Sequence, residues 1–148
     1  MIHIAEATRD DLDALTELLG LLFEHEPEFS ANRAKQAAGL KLILDNPTVG
    51  RILVARKENL IVGMVNLLFT VSTALGKHVV ILDDLVVSLT ERGKGVGKML
   101  MYAAIAYCAK HDFARISLQT DFDNYAAQHL YESRGFVRST MIPYRKIF

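Results

Sequence analysis

The chain has almost no cysteine and no excess of charge, and each shortage removes a class of protein. One cysteine among 148 residues, Cys108, excludes an internal disulfide and fits a reducing compartment. Its place one residue from the apolar stripe of a helix makes it core filler rather than a nucleophile. Lys plus Arg and Asp plus Glu both total 17, so no basic surplus is available for a nucleic-acid backbone or an anionic membrane surface. No apolar run reaches the roughly 20 residues of a membrane span. The opening MIHIAEATRDD has acidic residues where a signal peptide would be apolar. The five histidines, His3, His25, His78, His111 and His129, show no ligand spacing with one another or with Cys108, so no metal is expected. Repeats, low-complexity tracts and linkers are missing as well. The expectation is a cytoplasmic protein of one domain, with 51% hydrophobic residues to build its core.

The pattern that remains alternates between helix and strand. MIHIAEA reads as a short strand, and Thr8 to Asp11 as a helix start with acidic residues in its first turn. Leu12, Leu15, Leu18, Leu19 and Leu22 supply the apolar stripe of that helix. The polar EHEPEFS interrupts before a second helix, from about Asn32 to Asp45, that Asn46 and Pro47 end. RILVARKENLIVGMVNLLFTVS reads as a hairpin turning near Glu58 and Asn59. HVVILDDLVVS is apolar almost throughout and is expected to be central in a sheet. A helix from the VGKML segment follows, with Val96, Leu100, Ala103 and Tyr107 on one face. RISLQTD alternates as a strand, and NYAAQHLYESRG reads as a helix closed by Gly135. Short strand material around Pro143 ends the chain. This order describes an α/β domain around a mixed sheet.

One stretch asks for a ligand. ERGKGVGKML, Glu91 to Leu100, places Gly93, Gly95 and Gly97 at alternate positions, beside Arg92, Lys94 and Lys98, at the entry to a helix. Glycines let a ligand approach the backbone, and the unsatisfied N–H groups of a helix's first turn attract anions, phosphate above all. Two familiar phosphate loops fail here. A Walker A loop needs Ser or Thr after its Gly-Lys pair, and Met99 follows Lys98. The dinucleotide fingerprint needs a third glycine where Lys98 or Leu100 stands.

Three separated segments instead resemble the GNAT family of N-acetyltransferases, which move an acetyl group from acetyl-CoA to an amine. Arg92 to Gly97, RGKGVG, matches the family pattern Gln/Arg-x-x-Gly-x-Gly/Ala. LDDLVV, Leu82 to Val87, is similar to the strand before that loop. NYAAQHLYESRGF, Asn124 to Phe136, resembles the family's later helix. The resemblance covers nearly the whole chain and implies a single-domain fold over 1–148, a mixed central sheet flanked by helices.

The resemblance also implies roles. The amides from Gly93 to Lys98, including those of Lys94, Gly95, Val96 and Gly97, would hold the pyrophosphate of acetyl-CoA, with Arg92 beside them. The backbone of Leu85, Val86 and Val87 would bond the pantetheine arm as an added strand does. Asn124 would contact the cofactor while capping its helix. Tyr131, also near the cofactor, would give a proton to the departing thiolate. Asp83 would be the base, by similarity to the diamine acetyltransferase branch. Asp83 and Asp84 fall on opposite faces by strand alternation, so one of them would line the acceptor side. Glu24, Glu26 and Glu28, in FEHEPEF, would draw in a small cationic amine or polyamine. A homodimer is an allowed assembly. The alternative function is a non-catalytic acyl-CoA-binding module on the same fold.

Overall fold

In the computed structural model, which describes residues 1–24 and 32–148, the runs rich in β-branched residues pair as one five-stranded sheet. Strands β1 (Ile2–Glu6), β2 (Gly50–Lys57), β3 (Leu60–Ser72) and β4 (Lys77–Val87) follow one another antiparallel. The β2–β3 turn falls at Glu58 and Asn59 as expected, with Glu58 at φ +56°. A short β5 (Ile116–Ser117) adds parallel to β4, opposite Val80 and Ile81, and makes the sheet mixed. The alternating RISLQTD thus contributes only two residues of strand. β4 is central over its first half alone, because beyond Ile81 no strand among the described residues pairs with its second edge.

Helices cover both faces of this sheet. A 3-10 turn over Arg9–Asp11 leads into α1 (Leu12–Phe23), and α2 (Arg33–Leu44) begins at Asn32, whose side chain accepts from the Lys35 N–H at 3.1 Å. The α1 stripe buries Leu15, Leu18 and Leu19 against Leu40 of α2 and against Ile52, Val54, Met64 and Val86 of the sheet. Leu15 is wholly enclosed, and cutting such a side chain back to alanine costs about 2–5 kcal/mol. On the opposite face lies α3 (Val96–Lys110). A Cβ on Gly63, the neighbour of Met64, would stand 3.0 Å from Leu100 and 3.1 Å from Val96, so the bare backbone there lets α3 lie close.

The buried face of α3 is Val96, Leu100, Met101, Ala104 and Cys108, rotated by one position from the expected Ala103 and Tyr107. Cys108 is therefore the core residue. Tyr107 is half-buried and lies in an aromatic group with Phe69, Phe113 and His111, whose ring is 4.2 Å from its own.

The chain divides into two compact units, residues 1–118, which contain the sheet and α1 to α3, and residues 119–148. The second unit holds α4 (Tyr125–Ser133). Its start is capped by Asn124, which accepts from the Ala127 N–H at 3.2 Å. Its end is a complete glycine cap: Gly135 sits at φ +87° and donates to Glu132, while the Phe136 N–H donates to the Tyr131 carbonyl. The Tyr131 and Phe136 rings meet at 5.9 Å, the apolar contact that accompanies this motif. The strand expected around Pro143 is not formed, and residues 137–148 contain no helix or strand. Pro143 has no N–H to give to a ladder.

Candidate active site

The second half of β4 is distorted where the two aspartates lie. Asp83 faces Asn66 and Val86 faces Met64, so Asp84 and Leu85 together stand opposite Val65. This bulge puts Asp84 at φ +53°, a left-handed conformation that a residue other than glycine adopts only when its surroundings hold it there. Strict alternation is broken, and the Asp84 N–H donates to the Asp83 carboxylate at 3.1 Å. Asp83 is exposed and Asp84 half-buried. Burial first, and the charge of Asp83 second, push the Asp84 carboxyl up from 3.8 to about 6, against a lowering by its hydrogen bond from Asn66. That bond, Asn66 Nδ2 to Asp84 Oδ2, is 2.8 Å long.

Beyond the bulge, β3 occupies one edge of Val86 and Val87. The Val87 carbonyl also accepts from Arg92 Nε at 3.1 Å. The chain then makes a 3-10 turn over Leu89–Glu91 and enters the glycine loop. Gly93 (φ +75°) and Gly95 (φ +86°) are left-handed, and a Cβ on either would meet open space. Among the described residues, therefore, nothing needs these positions bare of side chain except the turn itself, which leaves room for a ligand to approach. Gly95 is the N-cap of α3 and offers no side chain, so the N–H groups of Val96, Gly97 and Lys98 point out of the helix without an acceptor among the described residues. This is an anion cradle in form, and a pyrophosphate fits its donor set.

The basic side chains do less there than their spacing implies. Glu91 is buried and takes Lys57 Nζ at 2.9 Å and Lys94 Nζ at 3.1 Å, and these two bonds, Lys57's first, hold its carboxyl below the ordinary range. Lys94 is thus engaged within the loop, as Arg92 is with Val87. Lys98 is exposed, with no ion pair among the described residues. Glu91 and Asn66 were missed in the sequence. An Asn inside the apolar run GMVNLLF and a Glu directly before the loop were the available signals.

Tyr131 lies on α4 in the second unit, half-buried, and burial raises its phenol above the ordinary value. It is protonated at neutral pH and able to donate. Glu24 is exposed at the end of α1, whereas Glu26 and Glu28 lie outside the described residues. Among the described residues no group of three or more His, Cys, Asp or Glu could hold a metal ion. Likewise, no helix among them is long and apolar enough to cross a membrane.

Known proteins share the fold. Residues 12–136 match the model of the acetyltransferase (GNAT) family. Over 139 residues, 94% of this chain and 92% of the relative, the sequence is 31% identical to the uncharacterized N-acetyltransferase YhfO of Bacillus subtilis. A stretch of 47 residues, 32% of this chain but 14% of the relative, is 49% identical to the mycothiol acetyltransferase of Renibacterium salmoninarum. Among solved structures, a possible acetyltransferase from Clostridium difficile 630 superposes with a TM-score of 0.87 at 21% identity, covering 100% of this chain and 99% of that one. An acetyltransferase of Trypanosoma brucei does so at 0.78 and 22%, with both chains covered fully. With a family match over most of its length and a relative 31% identical over nearly all of it, the chain belongs to the GNAT acetyltransferases.

Proposed function

We propose that this acetyltransferase moves the acetyl group of acetyl-CoA to a small cationic primary amine by direct attack on the thioester. One continuous feature carries the reading: the half-open edge of β4 runs into the unsatisfied amides of α3, so that a pantetheine arm and its pyrophosphate have matching partners in sequence order. The amides of Val96, Gly97 and Lys98 take the pyrophosphate, and those backbone groups of the stretch from Leu85 to Val87 that point away from β3 take the arm, whereas Val86 lies opposite Met64 and turns its own groups to β3. The Val87 carbonyl is already used by Arg92. The family match crosses from the first unit into the second, which supports reading 1–148 as one catalytic domain.

In the transfer, the amine lone pair attacks the thioester carbonyl carbon, the C–S bond breaks, and the nitrogen sheds a proton. We assign that proton to the Asp83–Asp84 pair, with Asp84 as the carrier, directly or through water. A carboxyl at about 6 is mostly ionised at pH 7 and far more basic than an ordinary aspartate. The two neighbouring carboxylates, with Glu24, also suit an acceptor that arrives as an ammonium, which gives up its extra proton to water through the same carboxylates before its lone pair attacks. Tyr131, by its family position, returns a proton to the thiolate. Calorimetric titration with acetyl-CoA and ATP, then a panel of amines, aminoglycosides, amino acids and peptides read by mass spectrometry for one added acetyl group, tests the proposal. Binding of ATP in place of acetyl-CoA, or a best acceptor that is neutral or anionic, refutes it.

A further inference from the structure

We propose that Asn66 is a positioning residue for the transfer: from the interior of β3 its amide turns the Asp84 carboxylate into one orientation and keeps it ionised. The inference rests on the reading of Asp84 as the base. Asn66 is 2% exposed, the one amide side chain within an apolar strand, and its Nδ2 donates to Asp84 Oδ2 at 2.8 Å. Only one orientation of the amide is tolerable, because turning it over would face Oδ1 against the carboxylate. In that orientation Oδ1 is buried and has no hydrogen-bond partner among the described residues.

An apolar residue of similar shape would fill the same space in β3 without burying an unpartnered oxygen such as Oδ1. The retained amide is explained by what its other end does. Asp84 is held at φ +53° in the bulge, and the carboxylate that this geometry presents is fixed at one end by Asn66. A donor to the ionised form favours that form and opposes the burial and the Asp83 charge that favour the protonated one. Asn66 therefore sets both the direction of the carboxylate and the pH at which it can accept a proton. β3 and β5 have no titratable side chain. α1 presents Asp13 and Glu17, and α3 presents Lys98, Lys110, Tyr102, Tyr107 and Cys108. The charge that acts on Asp84 is that of Asp83.

The test uses the full chain labelled with 13C at the aspartate carboxyls, the Asp84 signal being assigned by its loss in Asp84→Asn. In Asn66→Leu the Asp84 signal should titrate at higher pH than in the wild type. With the best acceptor of the amine panel, the acid limb of kcat/KM should move with it. Activity below the limb should fall about tenfold, the effect of removing one hydrogen bond to a charged group, and should return toward the wild-type value above it. Asn66→Asp keeps the shape of the side chain and should move both titrations further, since two adjacent carboxyls resist ionising together. An Asp84 signal that stays in place in both variants overturns the inference alone and leaves Asp84 as the base. A signal that moves while the rate limb stays removes Asp84 as the base and, with it, the role of Asn66.

Discussion

Replacing Asp84 by Asn should stabilise the protein in a pH-dependent way. The substitution keeps the shape, leaves an oxygen for Asn66 Nδ2, and suits φ +53°, since Asn enters the left-handed region more readily than most residues. The Asp84 carboxyl lies at about 6 in the folded chain and at the ordinary 3.8 when unfolded. Because the folded value is raised, the group imposes no penalty below 3.8, and the penalty builds as pH rises toward 6 and is complete above it. At 1.36 kcal/mol per pH unit, the ionised carboxylate costs the fold about 3 kcal/mol at neutral pH. Any constant effect of the substitution cancels in a comparison across pH. Between pH 4 and pH 8 the stability of Asp84→Asn relative to wild type should therefore grow by about 2–3 kcal/mol, most of it below pH 6.5. Urea unfolding at half-unit pH steps measures this, and at pH 8 the variant's melting temperature should be higher by roughly 4–12 °C. The same variant should lose acetyl transfer. A stability difference that is flat with pH, or a wild type that gains on the variant as pH rises, would refute the raised carboxyl and the role built on it.

Three further outcomes follow from the site. Gly95→Leu should weaken acetyl-CoA binding in calorimetry, and Gly76→Leu, at another left-handed glycine with open space around its Cβ position, should match its backbone strain but leave affinity unchanged. Equal loss of affinity in both, or in neither, would remove the loop from the binding site. Tyr131→Phe keeps the ring against Phe136 and the backbone bonds that close α4, so melting temperature and acetyl-CoA affinity should hold while kcat falls by roughly 10²–10⁴-fold. A wild-type rate would make Tyr131 a packing residue. Cys108 is 6% exposed, and burial pushes its thiol up to about 11, so at pH 8 Ellman's reagent should label it slowly in the native protein and rapidly in urea. Fast native labelling would contradict the packing of α3.

What could be read from the sequence is what neighbours along the chain decide. Asn32 and Asn124 cap helices through N–H groups three residues on, and Gly135 with Phe136 closes α4 onto residues within the preceding turn and a half. The β2–β3 turn and the α1 stripe are likewise set within a few residues, and the glycine loop is contiguous, so its resemblance to a family survives without a fold. Tertiary structure decided the rest. Asp83 and Asp84 looked like alternating strand residues, and the bulge that unites them exists only because β4 pairs with β3, whose Asn66 lies 18 residues away. In the sequence Arg92 and Lys94 only bring positive charge to the glycine loop, and nothing there names their partners. Glu91, anchored by Lys57 from 34 residues away, and the Val87 carbonyl engage them. α3 turned by one position because the sheet face beneath it, open at Gly63, determined which side chains could be buried. Caps and turns satisfy backbone groups within the reach of a single turn, whereas the direction and ionisation of a carboxylate depend on burial and partners that only the assembled sheet supplies.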